Sequence, residues 1–430
     1  MTIEELYQLF TSHPHISTDS RNIQEGCTFF ALKGANFNGN QFAAKAIEEG
    51  AAYAIVDEKE FATNARIVYV ENVLSSLQQL ARYHRQKLNL PILAITGTNG
   101  KTTTKELTAG VLAKKFNTVF TQGNLNNHIG VPLTLLSMSK ETEMGIVEMG
   151  ANHPGEIATL CEIALPNYGL ITNVGKAHLE GFGSFEGVKK TKAELYRHIE
   201  KTGGKIFINR ANSFLKEMAG ETPYIPYTTD KEEPGLQAEL LEVNPFMVCR
   251  IKFPKGWLYI KTRLIGGYNL ENALAAATIG HFFNIDPIKI KEALESYVPA
   301  NNRSQFIEGN KNKLQLDAYN ANPSSMQVAL DTFQQVNNHP KGVILGDMLE
   351  LGVSSAEEHQ KVVDRLAAIQ PDFVLLVGPQ FTQCRIPDSF QSFPTTEEAK
   401  GYLDNAKPSG YYLLIKGSRG MKLESLVEKL

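Results

Sequence analysis

A glycine-rich turn between an apolar run and a helical pattern restricts the fold of this chain more than any other segment. The apolar residues Ile92 to Ile95 lead into GTNGKT, residues 97–102, and a long helical pattern follows at once. Backbone N–H groups in such turns, and at the start of the following helix, bind phosphate oxygens. The segment therefore predicts a phosphate-binding loop. It is shorter than the usual eight-residue pattern, because Ile95 stands where the first glycine would be.

Two residues at the end of this loop indicate what it binds. Lys101 is placed to reach the β- and γ-phosphates of a nucleotide, and the Thr102 hydroxyl is placed to ligate Mg²⁺. A purely structural turn is the alternative, but the strand before it and the helix after it favour the nucleotide. The residues expected to hold the nucleotide here are Gly97, Thr98, Asn99, Gly100, Lys101, Thr102 and Thr103.

Short apolar segments alternate with helical patterns along most of the chain. MGIVEMG and YGLITNVG follow the loop, and KLQLDAY, KGVILGDM, DFVLLVG and YYLLIKG follow Pro299. Buried strands separated by helices predict parallel sheets that are covered on both faces. We expect an α/β protein of three domains: a small N-terminal α/β domain (1–88), a central P-loop domain with a parallel sheet and flanking helices (89–299), and a C-terminal Rossmann-like domain (300–430).

Composition excludes several classes of protein. The net charge of -3 provides no basic field for a nucleic acid. The four cysteines lie far apart and form no CxxC pair, which is typical of reduced thiols rather than of disulfides or a zinc site. The first residues, MTIEELYQLF, lack the basic start of a signal peptide, and no apolar run approaches the ~18 residues of a membrane span. We expect a cytoplasmic monomer without membrane insertion.

Two side chains at strand ends are candidate metal ligands. Glu148 closes the apolar segment MGIVE, and His178 follows the next apolar segment. Open α/β sheets bind their ligands at the carboxyl ends of the strands. Each residue alone is equally well read as a surface residue, but together, beside the loop, they predict a Mg²⁺ site. Lys192, in KKTKAELY, reads by itself as part of a solvated helix face.

An ordered set of blocks resembles the Mur ligase family and covers all three expected domains. The blocks are TGTNGKTTTKE, NLNNHIGVPLTLL, EMGANHPGEI, TNVGKAHLEGFGS, KTKAELY, GYNLENALAA, NNRSQ, LDAYNANPSSM, LGDMLELG and LIKGSRG. EMGANHPGEI, with NNHIGVP before it, is similar to the branch that adds D-alanyl-D-alanine to UDP-N-acetylmuramoyl-tripeptide. The DNPR-type sequence of the branch that adds a diamino acid is not evident.

The resemblance implies an ATP-dependent ligase that forms an amide through an acyl phosphate in peptidoglycan precursor synthesis. Its implied substrates are ATP, UDP-N-acetylmuramoyl-tripeptide and D-alanyl-D-alanine, and two Mg²⁺ ions are implied. The implied catalytic residues are Lys101, Glu148, His178 and Lys192. The implied metal ligands are Thr102, Glu148, His178 and Lys192, with Lys192 carbamylated.

The resemblance also assigns residues to the nucleotide and the substrates. Asn269 and Asn272 match asparagines at the adenine side of ATP, although Tyr268 stands where many relatives have histidine. Arg303 is matched to phosphate and Asp317 to ribose. Residues implied to bind the other substrates are Ser20 and Arg21 for the UDP portion, and Asn127, Asn320, Asn322 and Ser324 for the rest. For the last three, a simple helix start at Asn-Pro-Ser is an equal alternative.

Three alternative functions stay open at this point. A sister ligase, such as the enzyme that adds the third amino acid or a folylpolyglutamate synthase, would share the loop and the metal ligands. A UDP-binding first domain argues against the folate enzyme. A P-loop switch would hydrolyse ATP without an acceptor amine. A degenerate ligase kept as a scaffold is the third alternative, and the presence of Lys101, Glu148, His178 and Lys192 together argues against it.

Overall fold

The strands of the protein form three main sheets, which follow one another along the chain. The structure is a computed structural model that describes residues 1–300, 302–406 and 408–430. Asn301, the first residue of the NNRSQ block, lies outside the described residues. The predicted α/β architecture of three units is confirmed.

The first unit is a four-stranded parallel sheet in the order β1-β2-β5-β6, with a small β3-β4 hairpin. Its opening helix is stabilised by a capping box, in which the Thr2 hydroxyl accepts from the N–H of Glu5, and the Glu5 carboxylate accepts from the N–H of Thr2. The elements are α1 (Ile3–Ser12), β1 (Ile16–Ser17), β2 (Thr28–Phe30), β3 (Lys33–Gly34), β4 (Phe37–Asn38), α2 (Ala43–Glu48), β5 (Tyr53–Val56), β6 (Ile67–Tyr69) and α3 (Val73–Leu88).

The second unit contains a nine-stranded sheet in the order β15-β14-β13-β12-β11-β10-β7-β9-β8. Its elements are β7 (Ile92–Thr96), α4 (Lys101–Leu112), β8 (Thr118–Phe120), α5 (Gly130–Leu136), β9 (Met144–Glu148), α6 (Glu156–Ala164), β10 (Tyr168–Ile171), α7 (Leu179–Phe182), α8 (Phe185–Thr202), β11 (Lys205–Asn209), α9 (Ser213–Ala219), β12 (Tyr224–Thr228), β13 (Leu236–Glu242), β14 (Phe246–Phe253), β15 (Gly256–Ile265), α10 (Asn269–Phe282) and α11 (Pro287–Ser296).

The pairing within this sheet corrects one expectation. Strands β7 to β13 pair in parallel, as expected for strands joined by helices. Strands β14 and β15, however, pair antiparallel and extend one edge of the sheet. The alternating burial along β14 is typical of an antiparallel strand with one face covered by the core. Antiparallel neighbours can be joined by a short turn, so no helix is needed between β14 and β15. The central sheet is therefore mixed rather than purely parallel.

The third unit is a six-stranded sheet in the order β16-β17-β21-β18-β19-β20, parallel except for the edge strand β16. The four strands predicted for this region are present. Its elements are β16 (Gln305–Glu308), β17 (Lys313–Asp317), α12 (Pro323–Gln335), β18 (Lys341–Gly346), α13 (Ser355–Ile369), β19 (Phe373–Val377), β20 (Gln391–Phe393), α14 (Thr396–Ala406) and β21 (Tyr412–Lys416).

The apolar cores divide differently from the sheets. One cluster joins α1 and α3 of the first unit to α5 and α6 of the second, whereas the two clusters of the third unit contain only its own residues.

Among the described residues, no helix combines the length and the apolar character that a membrane span requires. All four cysteines are free thiols.

Candidate active site

A cavity of about 750 Å³ opens at the carboxyl ends of β7, β9 and β10, opposite the carboxyl ends of β17 and β21. It lies between the second and third units, where strand ends of two open sheets face each other. The residues predicted for the site that line this cavity are Thr98, Asn99, Gly100, Lys101, Thr102, Thr103, Asn127, Glu148, His178, Asn269, Asn272, Arg303, Asp317, Asn320, Asn322 and Ser324.

The backbone of the phosphate loop requires its two glycines. Gly97 and Gly100 both have positive φ angles, of 144° and 76°. A Cβ on Gly97 would lie 2.0 Å from the Thr172 hydroxyl oxygen, and one on Gly100 would lie 2.6 Å from the side-chain oxygen of Asn272. The loop is thus packed against the segment after β10 and against the start of α10. This packing fixes the positions of the backbone N–H groups of the loop.

Lys101 is folded back onto this loop. Its Nζ donates to the carbonyl oxygens of Gly97, at 2.8 Å, and Thr98, at 2.9 Å. Burial lowers the pKa of Lys101 to about 8; the charge of Glu148 opposes this shift and that of Arg303 adds to it. The ammonium therefore has carbonyl partners that a phosphate group could replace.

Glu148 and Thr102 meet at the floor of the cavity. The Thr102 hydroxyl lies 2.9 and 3.1 Å from the two carboxylate oxygens of Glu148, and Nδ2 of Asn126 donates to Oε1 at 2.8 Å. A hydroxyl and a carboxylate are the oxygen ligands that Mg²⁺ prefers, and phosphate and water usually complete its shell. The pair therefore fits a Mg²⁺ ion that arrives with a nucleotide.

His178 is directed to the third unit rather than to Glu148. It has a left-handed backbone (φ 49°), and its Nδ1 hydrogen bonds to the carboxylate of Glu350. Burial lowers the pKa of His178, and the charge of Glu350 opposes this shift. Over residues 1–300, 302–406 and 408–430, no three His, Cys, Asp or Glu side chains form a metal cluster. The structure thus places Thr102 and Glu148 together and pairs His178 with Glu350 of the third unit.

Lys192 is buried on α8 and does not form part of the cavity wall. Its side chain is 3 % exposed, so the solvated-helix interpretation is wrong for this residue. Burial lowers the pKa of Lys192 to about 7, and the charge of Lys101 lowers it further, whereas Glu156 and Glu194 oppose the shift. A neutral amine near pH 7 is the chemical form that reacts with CO₂.

Asn269 and Asn272 open α10, as the sequence predicts, and their side chains connect α10 to α4. Nδ2 of Asn269 donates to the carbonyl oxygen of Ile265 at 2.8 Å, and Nδ2 of Asn272 donates to Oδ1 of Asn269 at 2.8 Å. The Thr104 hydroxyl donates to Oδ1 of Asn272 at 3.0 Å. Both asparagines line the cavity, but these bonds also give them a structural role beside the loop.

Arg303 and Asp317 stand on the third-unit side of the cavity. The Arg303 guanidinium lies over the ring of Tyr319, at 3.6 Å from its centroid. Asp317 ends β17, and its carboxylate accepts from Nζ of Lys416 at 2.6 Å and from the N–H of Ser304 at 3.2 Å. Lys416, at the end of β21, is buried and also lines the cavity. The wall therefore carries positive charge opposite Lys101.

Asn322 and Ser324 form a bridge between the two units. Asn322 caps α12, which confirms the helix-start interpretation. Its Nδ2 also donates to Oδ1 of Asn99 in the phosphate loop at 2.9 Å, and Nδ2 of Asn99 donates to the Ser324 hydroxyl at 3.0 Å. Asn320 accepts from the N–H of Ala321. The third unit thus contacts the phosphate loop directly.

The remaining predicted residues have local contacts. Oδ1 of Asn127 accepts from the N–H groups of Ile129 and Gly130, at the start of α5. Ser20 and Arg21 lie in a surface turn outside the cavity wall. The Arg21 side chain is 87 % exposed and pairs with the carboxylate of Asp19 at 2.7 Å. The structure therefore does not bring this turn to the main cavity.

Several residues of the site were not identified from the sequence. Each lies inside a block that was noted, but composition offers no reason to select it. Lys105 stands one helical turn after Lys101, which is the clearest signal among them. The residues in question are Lys105, Asn126, Asn173, Tyr319, Glu350 and Lys416.

Comparisons with known proteins agree along the whole chain. Three family models match: "Mur ligase family, catalytic domain" over residues 14–89, "Mur ligase middle domain" over 95–280 and "Mur ligase, glutamate ligase domain" over 302–419. The UDP-N-acetylmuramoyl-tripeptide--D-alanyl-D-alanine ligase of Buchnera aphidicola subsp. Baizongia pistaciae is 34 % identical, over 96 % of this chain and 92 % of the relative.

Two solved structures extend these comparisons. A crystal structure of MurF from Acinetobacter baumannii superposes with a TM-score of 0.88 at 31 % identity, over 100 % of this chain and 98 % of that one. MurF ligase from Thermotoga maritima, in complex with ADP, superposes with a TM-score of 0.86 at 27 % identity, over 98 % and 97 %.

Proposed function

The chain belongs to the Mur ligase family, and from that premise we propose that it joins D-alanyl-D-alanine to UDP-N-acetylmuramoyl-tripeptide at the expense of ATP. It is an ATP-dependent ligase of peptidoglycan precursor synthesis. The observation that carries the proposal is one cavity that contains the phosphate loop, the Thr102–Glu148 pair and the cationic wall of the third unit. Such a cavity suits a reaction in which a phosphoryl group passes between two bound substrates.

The chemistry explains why ATP is needed. A carboxylate reacts poorly with an amine because oxide is a poor leaving group. Transfer of the γ-phosphoryl group of ATP to the terminal carboxylate of the tripeptide forms an acyl phosphate and releases ADP. The amine of D-alanyl-D-alanine then attacks the carbonyl carbon, loses a proton, and displaces phosphate as the amide forms. Both steps develop negative charge on oxygen atoms.

The residues of this chain hold and neutralise that charge. The loop N–H groups bind the phosphates, and Lys101 exchanges the Gly97 and Thr98 carbonyls for phosphate oxygens. Arg303 presents positive charge from the third unit, whereas the charge of Lys416 is paired with Asp317. Mg²⁺ held by Thr102 and Glu148 would add charge neutralisation at the transferred group. Contact between the third unit and the loop also excludes water, which would hydrolyse an acyl phosphate.

We further propose the finer assignments that the resemblance implies. Asn269 and Asn272 bind the adenine side of ATP, Asp317 binds ribose, and His178 approaches the metal once the substrates are bound. The surface turn at Ser20 and Arg21 binds the UDP portion, and Asn127 and Asn320 contact the substrates. The proposed domain limits are 1–88, 89–299 and 300–430. Action in the cytoplasm is proposed from the four free thiols and the nucleotide substrates, and the monomeric state stays a prediction.

Carbamylation of Lys192 is proposed from its burial and its lowered pKa. A carbamate would convert a buried cation into an anion able to bind a second Mg²⁺. ¹³C NMR with labelled bicarbonate should show a carbamate signal that disappears in Lys192→Met. Lys189→Met, on the same helix, is the control and should retain the signal. Normal turnover by Lys192→Met would contradict the carbamate assignment.

The test of the function is phosphate release from Mg²⁺-ATP with UDP-N-acetylmuramoyl-tripeptide, with and without D-alanyl-D-alanine. Release should depend on the dipeptide, and the product mass should rise by the dipeptide less water. Lys101→Met should lower this turnover by about 100-fold or more, whereas the exposed Lys140→Met should not change it. Dependence on a single amino acid would assign a sister ligase, and independence of any acceptor would leave an ATPase.

A further inference from the structure

Lys105 is a fully buried lysine beside the predicted metal ligand. It lies on α4, one turn after Lys101, and its side chain is 0 % exposed. Among the described residues, its Nζ has no hydrogen-bond partner. The Nζ lies 3.6 Å from Oε2 of Glu148, 3.8 Å from Oε1 of Glu106, and 5.8 Å from the centroid of the Phe120 ring. A buried ammonium group is stable only with a counter-charge, so one of the two carboxylates must supply it.

The surroundings of the two carboxylates differ. The Glu106 side chain is 21 % exposed, and its Oε2 accepts a hydrogen bond from the Tyr297 hydroxyl at 2.6 Å, so water and a phenol already stabilise its charge. Glu148 is 1 % exposed and has no access to comparable hydration. An unpaired buried carboxylate is more costly than a half-solvated one. The charge of Lys105 is therefore needed most by Glu148.

The other contacts of Glu148 do not supply a positive charge. Thr102 and Asn126 offer neutral donors, and Nζ of Lys101 is directed to the carbonyls of Gly97 and Thr98. Among the described residues, Lys105 is the cation within 4 Å of this carboxylate. It faces Oε2, whereas Asn126 contacts Oε1. The two contacts hold the carboxylate at two points in the orientation that meets Thr102.

We propose that Lys105 is a positioning residue that provides the counter-charge of the Glu148 carboxylate and holds it in orientation before a metal ion and a nucleotide bind. Because like charges repel, its ammonium also weakens the affinity of the nucleotide-free site for a divalent cation. Mg²⁺ then binds chiefly together with ATP, whose phosphates supply the missing negative charge. The inference rests on the proposed function only for the identity of the ion at Glu148.

The test is a double-mutant cycle in thermal stability, without nucleotide or substrate and with EDTA. Lys105→Met keeps the length of the side chain and leaves Glu148 unpaired, and its unfolding midpoint should fall by about 5 °C or more. Glu148→Gln should also lower the midpoint, but the double variant should lose clearly less than the sum. Lys341→Met is the matched control, since Lys341 is buried but caps the carbonyls of α12, and it should show no coupling to Glu148→Gln.

Addition of Mg²⁺ alone provides the second readout. The midpoint of Lys105→Met should rise by roughly 2 °C more than that of the unchanged protein, because Mg²⁺ replaces the lost counter-charge. Additive effects in the cycle, or an equal response to Mg²⁺, would overturn the proposal. Coupling of Lys105→Met to Glu106→Gln alone would also overturn it.

Failure to fold would be informative as well. If Lys105→Met does not accumulate but the double variant with Glu148→Gln does, the charge pairing is supported. If neither accumulates, Lys105 acts through packing and the proposal is wrong. These measurements contain no substrate, so they are independent of the ligase assay. Loss of dipeptide dependence in that assay would overturn the proposed function. It would not affect the conclusion on the pairing of Lys105 with Glu148, which is measured without substrate.

Discussion

The second unit shares an apolar core with the first unit, whereas it contacts the third unit chiefly through polar side chains. Toward the first unit, Leu6 and Leu77 pack in one apolar cluster with Leu135 and Leu160 of the second. Buried His84 and Arg85 of α3 add hydrogen bonds to backbone carbonyls of the second unit at the edge of this cluster. Toward the third unit, the contacts are mostly side-chain hydrogen bonds and ion pairs. These are Asn99 with Asn322 and Ser324, Tyr268 with Ser304, His178 with Glu350, and Lys176 with Glu358, with the Phe246–Phe306 ring pair as an apolar contact.

The difference has an energetic consequence. Burial of apolar surface stabilises an interface by roughly 25 cal/mol per Å², and opening it returns that surface to water. A hydrogen bond contributes only about 1 kcal/mol net, because water replaces it when it breaks. The first interface is therefore a shared core, and the second is one that opens at small cost. The cavity lies between the second and third units, so the polar interface is the one expected to open.

The largest effect is expected from Leu77→Ala in the shared core. Leu77 is fully buried, and its truncation should lower the free energy of unfolding by about 2–5 kcal/mol. Hydrogen exchange should rise in both the first and the second units. Leu330→Ala, at a fully buried position in the third unit, should raise exchange only there. Exchange confined to the first unit after Leu77→Ala would contradict a shared core.

An intermediate effect is expected from Asn322→Ala at the polar interface. This variant loses a helix cap, worth about 1 kcal/mol, and also the bond to Asn99. The value of kcat/KM for ATP should fall about tenfold, which corresponds to roughly 1.4 kcal/mol. Asn212→Ala is the matched control, since the Asn212 side chain caps α9 by accepting from the N–H three residues later, as Asn322 does for α12. An equal loss of kcat/KM in both variants would show that the bridge to the loop has no role.

The smallest effect is expected from Lys176→Ala. Lys176 pairs with Glu358 of the third unit at 3.8 Å, and its side chain is 56 % exposed. Its loss should change the free energy of unfolding by less than about 1 kcal/mol. The ligase rate should become less sensitive to salt, because this pair connects the two units. Lys361→Ala removes a pair to the same Glu358 within α13, and it should leave the salt dependence unchanged.

Local features of the sequence predicted most of the fold and part of the site. The alternation of apolar strands and helices predicted the sheets, and the loop that ends in Lys101 and Thr102 was located because its pattern is contiguous. The antiparallel strands β14 and β15 were missed. Their alternating apolar residues, in FMVCRIKF and GWLYIKTRLI, are typical of an edge with one covered face, so the signal was present.

Contacts between distant residues could not be predicted in the same way. Lys192 was interpreted by itself as solvated because it is one of three lysines in KKTKAELY. Its burial depends on what α8 packs against, which the segment does not show. Asn322 was predicted as either a helix cap or a ligand contact, whereas it caps α12 and also binds Asn99, 223 positions earlier. No periodicity connects such residues.

By itself, the sequence determined the α/β class, the phosphate loop and the strand-end carboxylate at Glu148. Each follows from backbone preferences and from burial within a few neighbouring residues. The tertiary structure alone decided that Lys105 pairs with Glu148, that His178 turns to Glu350, and that the second unit shares an apolar core with the first unit and mostly polar contacts with the third. Those outcomes depend on which surfaces come into contact when the chain folds. These contacts determine how deeply a side chain is buried and which charged groups surround it.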